Sequence, residues 1–338
     1  MITLIKILLF SLVNISFIIF FKKLSYIFNL YDHPNLERKR QVEPISLLGG
    51  FIFLVNFDLF VVFEIYTNDK IFFENLGLNT NIKITLFLIT FNLIYLIGYI
   101  DDKIDLKPFN KLIFFTILIY FLVYNIPNFN IKTLRINFID NDIDLFFLGP
   151  IFSAICIITY INAMNMFDGE NLISFLHFFS IVLLFILNNF MSDFSLLLLF
   201  SLLVYGYLNF KNLTYLGDSG IFILSFILSV LLIIFYNSFN LNVENILLII
   251  YLPIVDFFRL FFTRIYNNKN PLHADEKHLH HYLKKKFNYK KLMIIYFFLI
   301  YFPILVNYFL DITQFLLILM ITIYFLLLKF VRPNYSKI

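Results

Sequence analysis

Asp101 and Asp102 stand side by side after Gly98-Tyr99-Ile100, and adjacent carboxylates repel unless a cation or a substrate proton relieves them. Such a pair suits a metal or phosphate-transfer site; the plainer alternative is a solvated loop start. Lys111 follows closely, where its ammonium can meet a phosphate oxygen while its stem rests on apolar neighbours. The segment 162–169 carries Asn162, Asn165 and Asp168, polar groups that are costly beside hydrocarbon without partners. Asp168 can bind metal or orient a substrate. Leu216-Gly217-Asp218-Ser219-Gly220 adds a third carboxylate site, where two glycines permit close backbone approach and exposed N–H groups favour an anion.

The segment 271–281 holds His273, His278, His280 and His281 of the chain's 6 histidines, together with Asp275 and Lys277. Imidazoles beside a carboxylate suit zinc, but no cysteine supports that reading here. The alternative is that His278, His280, His281 and Lys277 donate hydrogen bonds to a pyrophosphate, while hard carboxylate oxygens elsewhere hold magnesium, or manganese in its place. Asp256 and Arg259 are spaced to share one helix face, for structure or for substrate orientation.

The elements that must position these groups are helices in lipid. The 338 residues are 61% hydrophobic and 14% charged, whereas soluble domains carry roughly 25% charged residues. A span needs about 20 apolar residues, and about eleven are predicted: 3–21, 47–66, 82–100, 111–127, 145–164, 172–189, 195–209, 220–238, 243–263, 291–309 and 313–330. The fold class expected is an all-α polytopic membrane bundle, one domain over 1–338, with 195–209 the weakest span. No small-residue cleavage site follows the first span, so it reads as a retained helix. The single cysteine, Cys156, allows neither a disulfide framework nor a thiolate cluster.

Alternate loops differ sharply in charge. One set holds twenty basic residues and the other five, Lys6, Lys70, Lys83, Lys132 and Arg135. Because Lys and Arg collect in cytoplasmic loops, the amino terminus is expected outside and the carboxyl terminus inside. That parity puts Asp101, Asp102, Asp168, Asp218, His278, His280 and His281 on one, cytoplasmic, face. In the outer loop 128–144, apolar alternation around Asp140-Asn141-Asp142 predicts a short hairpin. No inverted repeat of the transporter kind is visible. Carboxylates, basic donors and a greasy scaffold on one face suit a reaction between a water-soluble phosphate ester and a lipid phosphate, though spacing alone does not name the nucleotide.

The same residues resemble the polyprenyl-phosphate N-acetylhexosamine-1-phosphate transferases, in five ordered blocks between residues 32 and 283. These are Asp32-His33-Pro34-Asn35 with Arg38-Lys39 and Pro44 to Gly50; Asp101-Asp102 with Lys111; Asn162 to Gly169; Gly217 to Gly220; and Pro253 to His281, including Asp256 and Arg264. The last block is closer to the branch that uses simple UDP-N-acetylhexosamines than to the muramoyl-pentapeptide branch. Departures are one extra residue between Pro34 and Arg38, Gln41 for a histidine, Ser46 for a proline, Asn171-Leu172 where the family continues Asp-Gly, and Ile221 for a serine.

The resemblance implies a helical bundle at the bacterial cytoplasmic membrane, with a cytoplasmic cleft for the UDP-N-acetylhexosamine and a lipid-facing groove for undecaprenyl phosphate. It implies Mg2+ at Asp218, Asp102 and Asp168, with Asp101 sharing the metal or the lipid phosphate. Lys111, Asn162, Asn165, Arg264, His278, His280 and His281 would contact substrate. No nucleic acid partner is expected, and a homodimer is left open. A transporter or an inactive binder of polyprenyl-linked substrates is the alternative of a different class.

Overall fold

The computed structural model describes residues 2–34, 43–69, 71–139, 141–271 and 275–332. Asn35, Arg38, Lys39 and Gln41 of the first block, with Asp140 and His273, lie outside the described residues. The helices in chain order are α1 (Ile2–Phe28), α2 (Gly49–Thr67), α3 (Ile71–Asn75), α4 (Asn81–Ile104), α5 (Pro108–Asn125), α6 (Gly149–Phe167), α7 (Ile173–Leu187), α8 (Ser192–Phe210), α9 (Gly217–Ser238), α10 (Val243–Tyr266), α11 (Leu279–Lys286), α12 (Tyr289–Leu310) and α13 (Thr313–Val331).

Among the described residues ten of these are long and apolar enough to cross a membrane. The eleventh predicted span is the shorter apolar helix α7, whereas the segment expected to be weakest forms the 19-residue α8. The protein is therefore a polytopic helical membrane protein. Local signals set the helix ends: Pro108 opens α5, Thr80 accepts Lys83 N–H at the start of α4, and Asn242 and Asn245 form a reciprocal cap on α10.

Helix α9 is apolar on every side and buried along its length, as befits the centre of a bundle. Helices α2, α4 and α6 pack around it. Gly98 of α4 makes the closest crossing: a Cβ there would come within 2.5 Å of the Ser219 backbone N. Small residues at such crossings let helix backbones approach in lipid, where no hydrophobic force drives helices together.

Polar contacts sort the two ends of the bundle. At one end Lys6 of α1 is buried among Glu64, Asp69 and Asp193, with its Nζ 2.5 Å from Glu64 and 3.0 Å from each aspartate. This knot ties α1 to α2 and α8. The predicted hairpin is at the same end, with β3 (Thr133–Leu134) paired antiparallel to β4 (Ile143–Asp144). Arg135 beside it donates to Leu241 O and Tyr236 O at 2.8 and 2.9 Å.

At the other end, β1 (Tyr31–Asp32) pairs with β2 (Ile45–Ser46), and this pair was not anticipated from sequence. Ser46 O accepts from Tyr215 N at 2.8 Å and from the Thr214 hydroxyl at 3.0 Å. The first block is thereby stitched to the turn that precedes Asp218. The carboxyl-terminal end of α13 reaches this side too, where Lys286 donates to Phe330 O.

Candidate functional site

Helix α4 continues through Asp101 and Asp102 before Asp105 ends it in the left-handed region. The two carboxylates thus sit on a rigid last turn rather than in a loop start. Likewise α9 begins at Gly217, three residues earlier than predicted, which puts Asp218 in its first turn. The Gly98 crossing holds these two turns against each other.

The three carboxylates meet different partners. Asp101 is buried; its Oδ1 accepts from Leu106 N at 2.7 Å, and its Oδ2 lies 2.5 Å from Lys111 Nζ. Asp102 accepts from the backbone N–H groups of Asp218 at 2.8 Å and Ser219 at 3.2 Å. The N–H groups at the start of α9, expected to favour an anion, are therefore occupied by an internal one. Asp218 keeps its carboxylate 32% exposed and 3.7 Å from Lys111. Lys111 is thus shared between Asp101 and Asp218, while Asp102 is held by backbone N–H groups.

This donor set fits a hard divalent cation. Among the described residues no three His, Cys, Asp or Glu side chains form a ready-made metal site. Magnesium, however, is commonly held by one or two carboxylates plus substrate phosphates and water. The opening at Asp218 and the excess of acidic groups suit that arrangement, while the lack of a histidine in the cluster disfavours zinc.

Asp168, at the end of α6, belongs to a neighbouring group. Its Oδ1 accepts from the Ser174 hydroxyl. Burial pushes its carboxyl up to about 6, with the Ser174 bond opposing. Gly169 lies directly against the His280 ring, with no room for a Cβ. Asn162 bonds back to Ile158 O at 2.8 Å, and Asn165 is half-buried on the same last turn.

The histidine segment is built around α10. Asp256 Oδ2 lies 2.7 Å from His278 Nδ1, and Asp256 Oδ1 accepts from Arg259 Nη2 at 2.8 Å. The Asp256–Arg259 pair expected from spacing is present and also fixes a histidine 22 residues on. His278 and His280 stack with ring centroids 5.4 Å apart, and His281 lies 4.2 Å from His280. Burial lowers His280 well below its usual value and brings His281 down to about 4, with the neighbouring imidazoles adding to both shifts. Both rings are neutral at pH 7, so they can offer hydrogen bonds but no positive charge. His280 Nδ1 is buried without a protein partner.

Arg264 is buried and holds the loop: its Nε lies 3.2 Å from Asp275 Oδ2, and its Nη1 donates to Pro271 O at 2.8 Å. Burial of Asp275 opposes its charge, but the Arg264 bond and charge keep its carboxyl below the usual range. Arg264 Nη2 is buried without a partner, which leaves one donor uncommitted.

The departures in the third block have local explanations. Glu170 pairs with Lys284 of α11 at 2.5 Å, so its carboxylate ties α11 down. Asn171 donates to Asn212 Oδ1 at 2.5 Å, and Leu172 N donates to Asn209 Oδ1 at 2.8 Å. Leu172 has φ +64°, the left-handed region that costs a β-carbon residue about 1–2 kcal/mol. Leucine here holds the backbone conformation natural to the family's glycine. Leu172→Gly is expected to raise stability by about 1 kcal/mol, read as a higher melting temperature in detergent. A lower melting temperature would mean that Leu172 packing outweighs the strain. Ile221 in place of serine is buried inside α9, where an apolar side chain needs no hydrogen-bond partner.

Fold and site together define a multi-pass membrane protein with a carboxylate-rich site at one end, and the family model for Glycosyl transferase family 4 matches its residues 84–236. A relative from Thermotoga maritima, named undecaprenyl-phosphate alpha-N-acetylglucosaminyl 1-phosphate transferase, is 25% identical over 280 residues, which cover 82% of this chain and 79% of the relative. The matched segment includes Asp101, Asp102, Lys111, Asn162, Asn165, Asp168 and Asp218, while Arg264, His278, His280 and His281 lie beyond it.

Proposed function

We propose that this protein transfers a sugar-1-phosphate, N-acetylglucosamine-1-phosphate or a related N-acetylhexosamine-1-phosphate, from a UDP-sugar to undecaprenyl phosphate. UMP is released, and the product begins a cell-envelope polysaccharide. The observation that carries this reading is the Asp101–Asp102–Asp218 cluster with Lys111 at one end of a lipid-embedded bundle. That is where a soluble phosphate donor and a lipid phosphate can meet. The match to the Glycosyl transferase family 4 model and the relative's printed name support it.

In this reaction an oxygen of the lipid phosphate attacks the β-phosphorus of the donor. The bond from that phosphorus to the bridging oxygen breaks, and UMP leaves with the bridging oxygen. A phosphate monoester with a second pKa near about 6 is largely ionised at pH 7, so the nucleophile needs no general base. Lys111 sets a positive charge beside the reacting phosphates, and Asp101 keeps that ammonium in place. Asp102 fixes the first turn of α9 and hence the direction of Asp218. A magnesium ion held by Asp218, with Asp101, Asp102 or Asp168 contributing, would offset charge on the pyrophosphate. Asn162, Asn165, Arg264, His278, His280 and His281 would orient the donor. The excess of Lys and Arg in one set of alternate loops supports a cytoplasmic face for the site in a bacterial inner-membrane protein.

The test is UMP release by the purified protein with undecaprenyl phosphate, magnesium and a panel of UDP-N-acetylhexosamines. Release that requires both the lipid and the metal is the expected result. A folded protein that releases UMP from none of the donors would remove this reading.

A further inference from the structure

Helix α13 buries one face at Thr313, Leu316, Met320, Tyr324 and Leu328. Tyr324 is fully buried on that face, and a buried phenol must find a partner. It finds two. Arg259 Nε donates to the Tyr324 hydroxyl at 2.7 Å, and that hydroxyl donates in turn to Asp256 Oδ1. Asp256 Oδ1 therefore receives both Tyr324 and Arg259, while Oδ2 faces His278 Nδ1 at 2.7 Å. Arg259 Nη2 also donates to Lys277 O at 2.7 Å, which holds the backbone beside His278.

We infer that Tyr324, on the last helix and outside both the matched family segment and the five motif blocks, is a positioning residue that acts through Asp256 to fix the ring orientation and tautomer of His278. With Oδ1 doubly bonded, the carboxylate cannot rotate freely, so Oδ2 holds the His278 Nδ1–H and leaves Nε2 to face the donor. A third group that orients an imidazole is a recurring device for presenting one ring nitrogen to a reacting group. The inference rests on the proposed role of His278 in donor binding. It adds that α13 helps to set the geometry of that site.

The test is a double-mutant cycle on kcat/KM for the UDP-sugar, together with a spectroscopic readout that needs no activity. Tyr324→Phe keeps the ring and removes one hydroxyl. Losing a hydrogen bond to a charged group is expected to lower kcat/KM by roughly 10-fold or more. In a His278→Gln background the same change should cost less than about twofold, because its target is gone. An equal loss in both backgrounds would mean that Tyr324 acts on packing alone and would overturn the inference. Ring 15N spectra of His-labelled protein in nanodiscs, with the His278 signal assigned by His278→Gln, should show an Nδ1-protonated ring that changes in Tyr324→Phe. An unchanged signal also overturns the inference. If the wild type releases no UMP, the proposed function fails, and the 15N measurement still decides the positioning role. Should Tyr324→Phe not fold, Arg259→Lys, which removes the Nε contact to Tyr324, replaces it in both arms.

Discussion

Asp218→Asn is expected to lower UMP release by about 10³-fold or more, the scale seen when one group that stabilises transition-state charge is removed, with thermal stability little changed. The Asp218 side chain is one-third exposed and lies 3.7 Å from Lys111, which is anchored at 2.5 Å by Asp101 instead. Its replacement by the isosteric amide therefore takes charge from the reacting phosphates without loosening the helices. Asp101→Asn is expected to cost a similar factor by a different route. Asp101 holds Lys111 at 2.5 Å and accepts Leu106 N–H, so the ammonium loses its anchor as well as its partner. Raising the pH is expected to rescue neither variant, because the lipid phosphate is already ionised near neutrality. Strong rescue of Asp101→Asn at alkaline pH would instead assign Asp101 a proton-transfer role. Rates measured across a magnesium titration add a second check. A loss that high magnesium partly restores points to weakened metal binding, and one it does not restore points to Lys111.

The second large effect is expected at a residue with no chemistry of its own. Gly98→Val puts two methyl groups where α4 meets the backbone of Asp218 and Ser219. Neither backbone is the flexible end of a side chain, so the helices must separate. Overpacking of this kind costs about 3 kcal/mol, and a shift near 1 Å between α4 and α9 costs about a hundredfold in rate. Asp102 then no longer reaches the N–H groups of Asp218 and Ser219. A lower melting temperature together with loss of UMP release is the expected outcome. A variant with wild-type stability and activity would show that α4 and α9 tolerate a wider crossing than the one observed.

These two predictions draw on different sources. Asp218 stood out in the sequence because a carboxylate between glycines at the edge of an apolar run needs a reason. Gly98 appeared there only as the first of the three residues before the Asp pair, because the sequence carries no sign of which helix will cross at that point. The apolar runs likewise made the spans legible, since lipid forces every backbone polar group into intrahelical bonds. They left the ends uncertain: α4 runs on through Asp101 and Asp102, and α9 starts at Gly217. At those ends side-chain bonds take over from the helix: Asp101 accepts Leu106 N–H just past α4, and Asp102 of α4 accepts the first N–H groups of α9.

The sequence by itself determined that this is a multi-pass helical membrane protein, that its basic residues concentrate in one set of alternate loops, and which carboxylates and histidines are candidates for chemistry. Composition and charge distribution carry that information because hydrocarbon penalises each residue locally, whatever surrounds it. Only the tertiary structure decided how the candidates divide. Asp101, Asp102, Asp218 and Lys111 form one cluster, and Asp168 lies with Ser174 while Gly169 packs on His280. Asp256 serves His278 with Tyr324 behind it. Those groupings join residues up to 117 positions apart. They depend on helix crossings and on which buried donor finds which acceptor, and both are settled when the helices pack.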